Sequence, residues 1–119
     1  MNPISLFLAL QGQLKIFHWQ TSSFAEHKAF ELAYTTIDPL ADNFIEVYMG
    51  KTNISKSGEL KIQYFNYDSK DRMKVIKYYI GTIKKLRASL QSDEDSDLVN
   101  ISDEVIGSLN KLVYLLGLK

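Results

Sequence analysis

Cysteine is missing from the chain altogether. Disulfide scaffolds, thiolate zinc sites and cysteine nucleophiles are therefore excluded. An excess of either charge is missing too: fourteen Lys and Arg balance fourteen Asp and Glu. A neutral chain is poorly equipped to grip nucleic acid or an anionic membrane over a wide surface. No apolar run reaches transmembrane length. The apolar start, Met1 to Leu10, lacks a basic leader and a small-x-small cleavage site, and Gln11 and Gln13 soon interrupt it. An intracellular, cytoplasmic location is the expectation. No glycine loop fit to cradle phosphate is present, and no serine has a base at motif spacing.

With 119 residues, 45% of them hydrophobic and 24% charged, the chain suits one globular domain over 1–119. Asn2 followed by Pro3 marks a helix start, a capping side chain and then a proline whose missing N–H costs nothing. Ile4, Phe7, Leu14 and His18 share one face, which Leu6, Leu10 and Phe17 widen beyond an ordinary stripe. So apolar a first helix is expected to touch more than its own bundle. Ser23 with Glu26 reads as a capping box opening a second helix that runs to about Gly50. Pro39 inside it should bend the helix without stopping it, because the periodicity continues on both sides. Residues 51–68 read as an extended connection. A third helix is expected from Ser69 to about Gln91, with Lys70, Lys74, Lys77, Lys84, Lys85 and Arg87 outward. An acidic loop over 93–97 follows, and then a last helix capped by Ser102. Two helices, a long connection and two more helices make an all-α fold. The pattern is a ferritin-like four-helix bundle with one long crossover between the second and third helices.

The second helix carries the chemistry. With His27 at zero, Glu31 falls at about 40°, Asp38 at 20°, Asp42 at 60° and Glu46 at 100°. This places them along the edge of the apolar stripe rather than toward open water. Histidine with carboxylates is a donor set for iron, manganese or zinc. The pairs His27/Glu31 and Asp42/Glu46 lie about 22 Å apart along the axis, too far to share an ion within one helix. Their spacing is nevertheless symmetric about a midpoint between Thr36 and Ile37. Two copies packed antiparallel across a dyad there would set His27 and Glu31 of one chain opposite Glu46 and Asp42 of the other, forming two identical sites. His18 stands near enough in sequence to add a nitrogen. Asp93, Asp95, Asp97 and Glu104 occupy acidic positions of an EF-hand-like loop. Leu98 takes the place of its glycine, so an exposed acidic turn is the simpler reading.

The run Leu14-Lys15-Ile16-Phe17-His18-Trp19, then Phe24, His27, Glu31 and Asp42-x-x-x-Glu46, resembles the Dps miniferritins of the ferritin-like superfamily. The resemblance covers residues 14–46 closely and the remainder in helix order, with a weaker likeness at Asp95-Ser96-Asp97-Leu98. It implies ferroxidase chemistry, the oxidation of Fe²⁺ by peroxide or dioxygen at a centre shared between subunits. His18, His27 and Glu31 would come from one chain and Asp42 and Glu46 from its partner, with Trp19 and Asp38 beside the site. It also implies a homodimer or larger homo-oligomer. The His18–His27 loop is about three residues shorter than the family's. The ends are trimmed, and no lysine-rich tail is present, which argues against DNA binding and leaves the family's cage open. The compactness suggests a divergent, virus-encoded relative residing in host cytoplasm or virion. The competing reading is a ferritin-like structural or interaction protein with neither cage nor ferroxidase activity.

Overall fold

The computed structural model describes residues 2–54, 56 and 58–119. Met1, and Ser55 and Ser57 of the expected connection, lie outside the described residues. Four helices, α1 (Pro3–Gln20), α2 (Phe24–Thr52), α3 (Arg72–Ala88) and α4 (Ser96–Gly117), make the fold all-α, with no strand among the described residues. Going around the bundle, α1 packs on α2, α2 on α4 and α4 on α3, whereas α1 and α3 scarcely touch. Four large side chains at the centre, Phe7, Phe17, Phe30 and Phe44, are fully buried, and Phe7 meets Phe44 at 5.0 Å while Phe17 meets Phe30 at 5.6 Å. The 29 residues of α2 match the 43 Å long axis of the molecule, as the helical rise of about 1.5 Å per residue requires.

Asn2 caps α1 as expected, its Oδ1 accepting from Ile4 N at 2.9 Å. The capping box at α2 forms by half. Ser23 Oγ accepts from Glu26 N at 3.2 Å, but Ser23 N donates to Thr21 Oγ1 at 3.2 Å, so the Glu26 carboxylate is released for other work. The helix runs through Pro39 without a break. Pro39 is exposed, so water can reach the backbone carbonyl that loses its partner there.

The boundaries of the last two helices differ from those expected. Asp68 Oδ1 accepts from Lys70 N at 2.7 Å, and the Asp68 carbonyl accepts from Asp71 N and Arg72 N. This local turn competes with helix, so α3 starts at Arg72 rather than Ser69. Its end tightens at Ser89, whose hydroxyl donates to Leu86 O at 2.6 Å, so it stops short of Gln91. Ser102 does not cap α4: it is fully buried inside the helix and donates to Leu98 O at 2.9 Å. The helix begins at Ser96, and the acidic run lies across its start, where negative charge suits the helix dipole. Lys51 from the end of α2 neutralises that run, with Nζ 3.1 Å from Asp97, 3.5 Å from Asp95 and 2.6 Å from Glu94 O. The hydrogen bond from Lys51 holds the Asp97 carboxyl below the usual carboxylate range. With Asp97 and Glu104 both helical and Lys51 among the acids, no EF-hand loop exists here.

The segment before α3 is held to α1 by two glutamines two turns apart. Gln13, fully buried, donates from Nε2 to Phe65 O and accepts Phe65 N on Oε1, both at 2.8 Å. Gln20 repeats the pattern, accepting from Tyr67 N at 2.6 Å and donating to Asn66 Oδ1 at 3.0 Å. Tyr64 donates to Leu8 O at 3.1 Å, against Gly12, where any Cβ would collide with the phenol ring.

Burial pushes the Tyr79 phenol up to about 12 and raises that of Tyr67. The fold therefore favours both neutral forms. Their contribution is complete below the unfolded value near pH 10 and is lost as pH rises above it, that of Tyr79 through about 12. A urea midpoint that is level from about pH 7 to 9 and falls above about pH 10 is expected. A midpoint unchanged at about pH 11.5 would contradict this account.

Candidate metal site

The short turn between α1 and α2 decides the geometry. Thr21 ends α1, its N–H donating to Phe17 O at 3.0 Å, and Ser23 starts α2. The chain reverses within this turn, so His18 on the last turn of α1 meets His27 on the first turn of α2. Their rings stack at 3.8 Å with planes 19° apart. Each ring bonds the other residue's backbone: His18 Nδ1 lies 2.8 Å from His27 O, and His27 Nδ1 lies 2.8 Å from His18 O.

A carbonyl oxygen can only accept, so each Nδ1 must carry the proton. In the neutral rings both Nε2 atoms then keep their lone pairs. Fixing a ring's tautomer by an Nδ1–H bond to a carbonyl is the usual outer support of a metal-binding histidine. Here one reciprocal pair of bonds does it for both. Tyr34 closes the group, its ring edge-on to His18 at 5.3 Å, with Lys15 Nζ 5.4 Å above its centre.

The remaining site residues are spread along α2. Glu31 is half-buried, and its Oε2 is 3.3 Å from Lys28 Nζ. Asp38 is bound to α1, accepting from Gln11 Nε2 at 3.1 Å and lying 3.8 Å from Lys15 Nζ. Asp42 and Glu46 are exposed and line a cleft of about 280 Å³ with Ile4, Leu8 and Gln11 of α1. They thus face outward more than the edge position expected from the helical angles. Within one chain, the structure brings His18 and His27 together and leaves the two acids at the far end of α2. Among the described residues no three potential ligands converge on one ion.

Apolar groups surround the pair. Trp19 and Phe24 are 71% and 75% exposed on either side of the turn, and Phe24 stacks toward His27 at 6.3 Å. Leu8 is also exposed, farther along α1. Beneath the turn lies a polar clasp that sequence reading missed. Glu26, freed from the capping box, accepts on Oε1 from Arg72 Nε at 2.9 Å and from Tyr67 OH at 2.7 Å. Arg72 also donates to Ser69 O at 2.8 Å and to Leu116 O at 3.3 Å. One guanidinium thereby ties the start of α2 to α3 and to the end of α4. The only sequence signal for it was a glutamate directly before His27.

A family described as a family of unknown function (DUF5856) matches residues 18–116, and the chain belongs to it. The matched stretch contains all five candidate ligands. No curated protein and no solved structure matches the chain. No helix among the described residues is long and apolar enough to cross a membrane.

Proposed function

We propose that the chain is a Dps-like miniferritin whose iron sites are shared between two copies. The observation that carries the reading is the reciprocal histidine pair, which holds two imidazoles with their Nδ1 protons committed and their Nε2 lone pairs available. His18, His27 and Glu31 of one copy would take Fe²⁺ together with Asp42 and Glu46 of the other. These N and O donors suit iron, with manganese or zinc as competitors. The outward position of Asp42 and Glu46 supports a ligand pair offered to a neighbour. The exposed Leu8, Trp19 and Phe24 supply apolar surface for the same contact. In the oxidative step each peroxide takes one electron from each of two Fe²⁺ and, with two protons, leaves two waters and two Fe³⁺. The glutamine-bound segment beside α1 corresponds in this reading to the crossover of a ferritin-like bundle.

The competing reading, an interaction protein without ferroxidase activity, draws on the same exposed aromatics and on the pairing of Glu31 with Lys28. Adding Fe²⁺ anaerobically, then peroxide, while following ferric absorbance separates the two, with solution mass measured alongside. The miniferritin reading expects a dimer or larger assembly with saturable Fe²⁺ uptake and peroxide-dependent oxidation. A strict monomer without saturable uptake would overturn it in favour of the interaction protein.

A further inference from the structure

The seam between α1 and α3 is the one where neighbouring helices scarcely touch. A cavity of about 620 Å³ occupies it, closed on its third side by the segment before α3. That volume is within the range of small-molecule sites, about 300–1,000 Å³. Leu6 and Ala9 of α1, Phe65 of the segment and Val75 of α3 give it an apolar floor. Tyr79 is only 4% exposed and lines the same space. Among the described residues, no side-chain polar atom sealed from solvent lacks a partner. The Tyr79 hydroxyl makes no hydrogen bond to a described residue and is not sealed from solvent, so it is free to meet a ligand in the space that Tyr79 lines. Lys61 and Lys74 also line it, both exposed, with Lys74 3.8 Å from Asp71. Among the described residues, no acidic one lines the cavity. An apolar floor, an unused hydroxyl donor and two ammonium groups select a ligand with a hydrocarbon body and one negative headgroup.

We propose that the cavity between α1, the segment before α3 and α3 binds a small amphipathic carboxylate of the medium-chain fatty-acid class. Its chain would lie on Leu6, Ala9, Phe65 and Val75, and its headgroup would face Tyr79, Lys61 and Lys74. This site is on the opposite side of α1 from the cleft lined by Asp42 and Glu46, and it stands independently of the iron reading.

Titration calorimetry of the full chain with decanoate tests the assignment, with 1-decanol as the uncharged comparison. Saturable binding of one decanoate per chain is expected, weakening about tenfold when the acid is two methylenes shorter. Tyr79→Phe should weaken decanoate about fivefold or more. Lys61→Glu with Lys74→Glu, both on the surface and harmless to folding, should erase the preference for decanoate over decanol. Ala9→Phe should fill the cavity and abolish binding. Equal affinity for decanol and decanoate in the wild type would overturn the proposal. So would decanoate binding unchanged by both the lysine reversals and Ala9→Phe. A separate groove between α2 and α4 is lined by Ala33 and Leu40 on one side and Gly107 and Leu112 on the other; loss of binding on Gly107→Leu alone would place the ligand there, again overturning the proposal.

Discussion

Replacing Arg72 by alanine is expected to lower the free energy of unfolding by about 3 kcal/mol. For a domain of this size, that is a fall in Tm of about 10 °C or more. Arg72 and Glu26 are largely buried, their side chains 17% and 18% exposed. Removing the guanidinium leaves the Glu26 carboxylate in a poorly solvated place with only the Tyr67 hydroxyl for company. It also orphans Leu116 O at the end of α4. Arg72→Met keeps the apolar stem and should lose nearly as much, because the cost lies in the stranded charge. Adding Glu26→Gln to Arg72→Met should recover part of the loss, since a neutral amide is cheaper to leave without a cation. Urea unfolding of the three variants provides the check. An Arg72→Ala protein within about 0.5 kcal/mol of wild type would show that the clasp is ornamental.

The second large effect concerns metal. His27→Ala removes one imidazole and strips His18 O of its donor. Removing an outer support of a metal ligand costs about 10–100-fold in affinity, and removing the ligand itself should cost more than that. Fe²⁺ uptake by His27→Ala is therefore expected to fall below measurable levels over the wild-type range. Lys28→Ala is the matched control on the same turn. It releases Glu31 from its surface ion pair, so uptake should be equal to wild type or tighter. If His27→Ala and Lys28→Ala took up Fe²⁺ alike, the histidine pair would be a staple between α1 and α2 and no ligand.

The readable parts of the sequence were those whose signals are local. Asn2-Pro3 and Ser23 mark the starts of α1 and α2 because a cap needs only its own next few residues. The apolar period of α2 survives Pro39 for a similar reason: the core stripe Phe30, Ala33, Ile37 and Phe44 continues on the far side of the helix from the proline. Where two local signals compete, sequence reading misplaces the boundary. Asp68 forms a turn that delays α3, and Ser102 has the chemistry of a cap but spends its hydroxyl on Leu98 O inside α4. Gln13 looked like a polar interruption of an apolar helix. Its purpose depends on Phe65, far away in the chain, so no periodicity could disclose it.

The candidate site divides the same way. Spacing alone put His27, Glu31, Asp42 and Glu46 on one side of α2 and showed that the two pairs stand too far apart to meet. That His18 and His27 would bond each other's backbone depends on the turn at Thr21-Ser22-Ser23 and on ring orientation, which residue identities do not encode. Asp42 and Glu46 are more exposed than their helical angles imply, because angles measured from His27 do not say where α1 ends its cover of α2.

Subunit mixing tests the shared site most directly. His27→Ala and Asp42→Ala chains should each be inactive in peroxide-dependent Fe²⁺ oxidation. In a dimer that combines them, one site carries both substitutions and the other carries neither. Co-expression with random pairing should therefore restore about a quarter of wild-type activity, through the one intact site in each mixed dimer. A mixture no more active than its two parents would contradict a site built from two chains.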